Sequence, residues 1–134
     1  MNEKTAFNLI QQYIEGWKQN DLLLILSTLA EDCVVIESHG PQYQGIREIE
    51  RWFGFWLNAN GKVTKWDLLS LYFCEKKETA FVEWAFGCVS NGREYSLPGG
   101  ISVVKFSDQK IAFLHEYRMT RAIYRWEGKR LNSD

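Results

Sequence analysis

Between Lys4 and Lys18 apolar residues recur every three or four positions, placing Phe7, Ile10, Ile14 and Trp17 on one stripe that Leu9 and Tyr13 widen. That period predicts an amphipathic helix. Asn20 or Asp21 can cap a second helix over LLLILSTLAE, residues 22–31, and this run is apolar on nearly all sides, so burial is expected. CVVIES, residues 33–38, changes to a β-branched strand, closed by Gly40-Pro41 because proline brings no N–H to a ladder. From Gly45 the helical period returns, with Ile46, Ile49, Phe53 and Trp56 on one side and Arg47, Glu48, Glu50 and Arg51 largely on the other. The turn-forming run from Asn58 to Gly61 ends this third helix.

The second half follows another period. VTKWDLLSLYFCE, TAFVEWAFGCVS, REYSLPGGISVVKF and IAFLHEYRM are long β-rich runs, separated by the hairpin connections Lys76-Lys77-Glu78, Asn91-Gly92 and Ser107-Asp108-Gln109. Helices followed by a four-stranded meander predict an α+β fold, with the N-terminal helices packed on one face of a curved antiparallel sheet. Leu97-Pro-Gly-Gly100, inside the third run, predicts a bulge that bends the sheet. With 134 residues, 46% hydrophobic and 15% aromatic, the chain is expected to form a single domain over residues 1–134.

Charge narrows the partners. Sixteen basic residues against seventeen acidic ones leave a net charge of -1, too little excess for gripping nucleic acid or an anionic membrane. The basic run Arg118, Arg121, Arg125, Lys129 and Arg130 is interrupted by Glu127 and is expected to form a solvated helical face. The N-terminus lacks an apolar stretch of signal-peptide length, and DLLLILSTLA is too short to span a bilayer. A soluble, cytoplasmic protein is expected. Cys33, Cys74 and Cys88 are odd in number and lie in apolar runs, which predicts reduced thiols in place of disulfides or a zinc site.

The helix, Asn-Asp break, second helix and strand in YIEGWKQNDLLLILSTLAEDCVVIE, followed by GPQYQGIREIERWF and GKVTKW, resemble the SnoaL-like, or nuclear transport factor 2-like, superfamily over Phe7 to about Arg118. The resemblance implies a cystatin-like cone: a curved sheet closed by helices around one pocket, commonly dimeric through the outer face of the sheet. Residues 7–40 are similar to ketosteroid isomerase. That similarity places the oxyanion-hole tyrosine on Tyr13, the general base on Glu37, and Ser102 where a protonated aspartate completes the oxyanion hole. A second similarity, to limonene epoxide hydrolase, places its water-activating aspartate on Glu116, but VEWAF lacks the accompanying Arg and Asp.

Alternation independently puts Val35, Glu37 and His39 on one face of their strand, and Val34, Ile36 and Ser38 on the other. If Glu37 faces an aromatic pocket, desolvation makes it a usable proton acceptor; if it faces solvent it is an ordinary strand-end carboxylate. His39 is either a ligand contact or a loop residue, and with His115 on the opposite face from Glu116 no metal site is expected. Tyr13 either points into the cavity or closes the helix–sheet core. Trp17, Trp52 and Trp56 either pack the core or line the pocket, and lining by their indoles would imply a small apolar or aromatic ligand. Glu83 and Glu116 interrupt apolar strands, and would be either an interior acid–base pair or outward-facing partners of Lys105 and Arg118. Trp84, Phe86 and Val103 would suit either the core or a sheet-to-sheet homodimer. Two functions follow: a metal- and cofactor-independent isomerase, lyase or cyclase using Glu37, Tyr13, Ser102 and Glu116, or a non-catalytic ligand-binding or assembly module.

Overall fold

A computed structural model describes residues 1–129. Helix α1 (Glu3–Lys18) begins where the Asn2 side chain accepts the Thr5 N–H, satisfying one of the free donors of its first turn. Asp21 caps α2 (Leu22–Ser27) through Leu24 N–H. Strand β1 (Leu29–Ile36) and the short β2 (Gln42–Gln44) precede α3 (Gly45–Asn58). The remainder is a meander of β3 (Lys62–Cys74), β4 (Thr79–Ser90), β5 (Arg93–Ser107) and β6 (Lys110–Arg118). The strands form one sheet in the order β2-β1-β6-β5-β4-β3, antiparallel except where β1 runs parallel to β6. No helix among the described residues is long and apolar enough to cross a membrane.

The expected second helix is shorter and less buried than its composition suggested. It ends at Ser27, only Ile25 is buried, and Leu23 is 80% exposed. The chain leaves the helix because Thr28 offers its carbonyl to Ile111 N–H at 2.8 Å, which starts the pairing of β1 with β6. STLAE is thereby divided between a helix end and a strand that begins four residues before CVVIES. The parallel pair supplies long-range hydrogen bonds that local apolar composition does not encode.

Leu97-Pro-Gly-Gly100 bends the sheet as expected. Trp84 pairs with Gly100 and Phe86 with Leu97, so Pro98 and Gly99 together oppose Ala85. That extra residue is a β-bulge. Trp84 and Phe86 face the helices, whereas Val103, paired with Phe81 and His115, faces away. The three therefore do not share a surface. On the helix side, Val35, Val82, Val104 and Leu114 pack with Ala6, Ile10, Ile14 and Ile25 into a dry core. Beyond β6, residues 119–129 form neither helix nor strand, which corrects the expected helical face, and Arg130 lies outside the described residues.

Gly100 accommodates the indole of Trp84: a Cβ there would lie 2.1 Å from the ring. Gly100→Ala is expected to lower unfolding stability by about 2 kcal/mol through overpacking. Gly99→Ala, with open space around the added carbon, should change it by less than about 0.5 kcal/mol. Urea titration of the two variants checks the contrast.

Candidate functional site

The cone does not fill. Between α1, α3 and the inner face of the sheet lies a cavity of about 450 Å³, lined chiefly by aromatic side chains. Tyr13 and Trp17 enter it from α1, Trp52 and Trp56 from α3, and Trp66, Trp84 and Phe86 from the sheet. The rings brace one another, Trp17 lying 4.5 Å from Trp52 and edge-on to Trp56 at 6.3 Å. Trp56 is fixed further by its N–H, which Asn20 Oδ1 accepts at 2.8 Å while Asn20 Nδ2 donates to the Gly61 carbonyl at 3.0 Å. This latch joins the ends of α1 and α3 to the start of β3.

Two carboxyl groups face this enclosure. In the parallel pair, Ile36 stands opposite His115, so the next residue on each strand brings Glu37 beside Glu116. Burial and the charge of Glu37 push the Glu116 carboxyl up to about 8, against a downward pull from the Ser38 backbone N–H. Burial also raises Glu37, while the Tyr43 hydroxyl and His39 favour its anion. Tyr43 donates to Glu37 Oε1 at 2.6 Å and stacks flat on Trp52 with ring centroids 4.1 Å apart. Burial raises both carboxyls, and the donors to Glu37 offset part of its rise, so Glu116 is held the more firmly as the acid.

Tyr13 is buried on the same side. Its hydroxyl is held protonated by burial and by Glu116, then by Glu37, so it is a hydrogen-bond donor in the neutral range. The Trp17 indole N–H pulls the other way from a position outside good hydrogen-bonding geometry; it and the Trp66 N–H, both from rings edge-on to Tyr13, are buried and have no acceptor among the described residues.

The other expected residues divide. His39 lies at the cavity rim, its side chain more than half exposed and its Nε2 3.9 Å from Glu37 Oε1. Ser102 lines no part of the cavity; it is buried and its hydroxyl accepts the Trp84 indole N–H at 2.8 Å. The bulge at Pro98 to Gly100 sets the register that assigns Ser102 this packing role. Glu83 is also corrected: it lies on the outer face, exposed, with Ser70 Oγ donating to it at 2.6 Å. His115 shares that outer face, where it stacks on Tyr117 at 4.1 Å. Among the described residues no three metal-ligating side chains come together.

Sequence reasoning missed Tyr43, because its approach to Glu37 depends on β2 pairing back onto β1. It also passed over Arg118, seen only as a possible partner of an outward-facing glutamate. Trp66 and Phe86 do carry a signal: they alternate with polar or small residues, as inward-facing strand positions do.

The sequence profile of the SnoaL-like domain matches residues 10–114. The chain belongs to the SnoaL-like domain family. Structures similar to this SnoaL-like domain include a polyketide cyclase candidate from Xanthomonas campestris pv. campestris, at 19% identity and a TM-score of 0.73 over 89% of this chain and 93% of that one. An LEH-like epoxide hydrolase from M. tuberculosis gives a TM-score of 0.75 at 10% identity, covering 87% of this chain and 84% of the other. TerC, co-crystallized with polyporic acid, gives 0.71 at 13% identity, over 87% and 92%. Structural matches include cystatin-like and nuclear transport factor 2-like proteins, so the SnoaL-like domain has that fold. Its relatives' chemistry differs from one to another, and at these identities the likeness is one of fold. A comparison with curated protein sequences finds no match.

Glu116 binds a proton in the folded state that the unfolded chain releases, so its contribution to stability is fullest below its ordinary pKa of 4.5 and is lost as pH rises to about 8. Glu116→Gln keeps an acceptor for Ser38 N–H but cannot ionise. Relative to the wild type, the variant should gain on the order of 4 kcal/mol of stability across that window, the slope reaching about 1.4 kcal/mol per pH unit between the two pKa values. Denaturant titrations of both proteins from pH 4.5 to 8 check this.

Proposed function

We propose that the cavity binds a small, mostly apolar or aromatic carbonyl compound and catalyses proton transfer on it, as an isomerase, lyase or cyclase that needs neither metal nor organic cofactor. The observation that carries this reading is the pair Glu37 and Glu116, side by side in an aromatic enclosure, both raised by burial and with Tyr43 and His39 favouring the Glu37 anion. In the isomerase case, the Glu37 carboxylate removes a proton from the carbon next to the carbonyl. The electron pair of that C–H bond moves into the carbonyl, and the Tyr13 hydroxyl donates to the resulting enolate oxygen. Glu116 then protonates another carbon of the delocalised system, leaving Glu37 as the acid and Glu116 as the anion. Proton exchange between the two carboxyls resets the site. Tyr43 acts on Glu37 as a positioning residue, holding the carboxylate oxygen through its hydroxyl.

A non-catalytic binding module is the second reading, favoured by one observation. Ser102 is engaged by Trp84 away from the cavity, so it adds no hydroxyl to Tyr13 where an enolate would form. Homodimerisation through the outer sheet face belongs to either reading, supported by the exposed apolar side chains of Phe81, Tyr72 and Tyr117 there. Phe81→Asp is expected to shift the sedimentation of a dimer to that of a monomer; an unchanged profile would remove this face as the interface.

Exchange of solvent deuterium into 2-tetralone, followed by proton NMR, tests the chemistry. The wild type should accelerate exchange, and Glu37→Gln should reduce the acceleration by about 10²- to 10⁴-fold while still binding the ketone. Equal exchange in wild type and variant excludes Glu37 as the base, and no protein-dependent exchange at all favours the binding module.

A further inference from the structure

Arg118 is the last residue of β6, two positions beyond Glu116 and on the same face of the strand. Its side chain lines the aromatic cavity. Even so, it makes no ion pair or hydrogen bond with another described residue, and it leaves the neighbouring carboxyls unneutralised. The Tyr95 hydroxyl, also at the cavity lining and half exposed, likewise has no partner among the described residues. An arginine placed to pair with Glu116 would hold that carboxyl low; instead Glu116 lies high. The cavity lining is therefore polarised along β6: the carboxyl pair at one position and, two residues further on, the exposed Arg118 without a partner among the described residues.

We infer that Arg118 selects ligands carrying one anionic group, a carboxylate, sulfonate or acidic enol, on an apolar aromatic body. The inference rests on the reading of the cavity as an aromatic-ligand site and adds the charge and shape of that ligand. Two residues along a strand correspond to about 7 Å. That is close to the length of a fused two-ring system, so the anion meets Arg118 while the reacting carbon lies at Glu37 and Glu116. The opposite orientation would put the anion against the carboxylate of Glu37 and is disfavoured by repulsion. Guanidinium presents a planar fork that matches an oxyanion with two acceptor oxygens.

Two fluorescent probes with the same body test the assignment: 1-anilinonaphthalene-8-sulfonate, which is anionic, and N-phenyl-1-naphthylamine, which is neutral. Both are titrated against the wild type, Arg118→Gln and Arg118→Lys, with each probe also used to displace the other. The expected result is mutual displacement, about a tenfold loss of sulfonate affinity in Arg118→Gln with less than about a twofold change for the neutral probe, and an intermediate loss in Arg118→Lys. Retained binding of the neutral probe also shows that the variant is folded. Equal losses for both probes, no loss for either, or failure of the probes to displace one another overturns the role of Arg118 while leaving an aromatic-ligand site in place. Failure of both probes to bind the wild type overturns the aromatic-ligand reading together with this one.

Discussion

Two carboxyl groups share a mostly apolar enclosure, and the organisation of the site follows from what that costs. Burying a single carboxylate is unfavourable, and burying two side by side adds their repulsion, so at neutral pH the pair must retain a proton. The parallel pairing of β1 with β6 brings Glu37 and Glu116 together. Tyr43 and the Ser38 N–H then stabilise charge on each to different extents. Without those donors the pair would be two equivalent, mutually destabilising acids; with them it has a direction.

The aromatic walls give that arrangement its low-dielectric surroundings, and they depend on backbone features that are individually small. Gly61 and Gly100 leave room for the rings of Trp56 and Trp84, each of which would collide with a Cβ. Asn20 holds Trp56 from the other side while accepting a left-handed backbone conformation, with φ of 52°. Trp84 in turn uses its N–H on Ser102, which satisfies a buried donor and keeps that serine in the packing. Rigidity in the walls is thus produced by hydrogen bonds at the indole edges as well as by ring contact.

The fold places a cavity without assigning its chemistry, as the different activities in the names of two structural neighbours, a polyketide cyclase candidate and an epoxide hydrolase, show. In this chain the titratable side chains of the cavity gather at the joined ends of β1 and β6. Glu37, Ser38, His39, Glu116 and Arg118 all lie within this small region and all line the cavity. The aromatic residues from the other elements define what can approach it.

From the sequence alone the three helices, the four long strands, the bulge at Pro98 to Gly100 and the shared face of Val35 and Glu37 were legible, because each is written in a local period or in turn chemistry; that this face turns inward was not. The extent of α2 was not. LLLILSTLAE is equally apolar as helix or strand, and the choice was made by a hydrogen bond from Ile111, more than eighty residues away. The faces of Glu83 and Ser102 were likewise undecided, since a bulge shifts alternation and only the paired strands show by how much. Tyr43 beside Glu37, and Arg118 at the cavity without a partner among the described residues, depend on several elements meeting at one place. Local sequence determines which residues can share a face; the tertiary structure determines which faces meet, because that choice is made by pairings and packing between residues far apart in the chain.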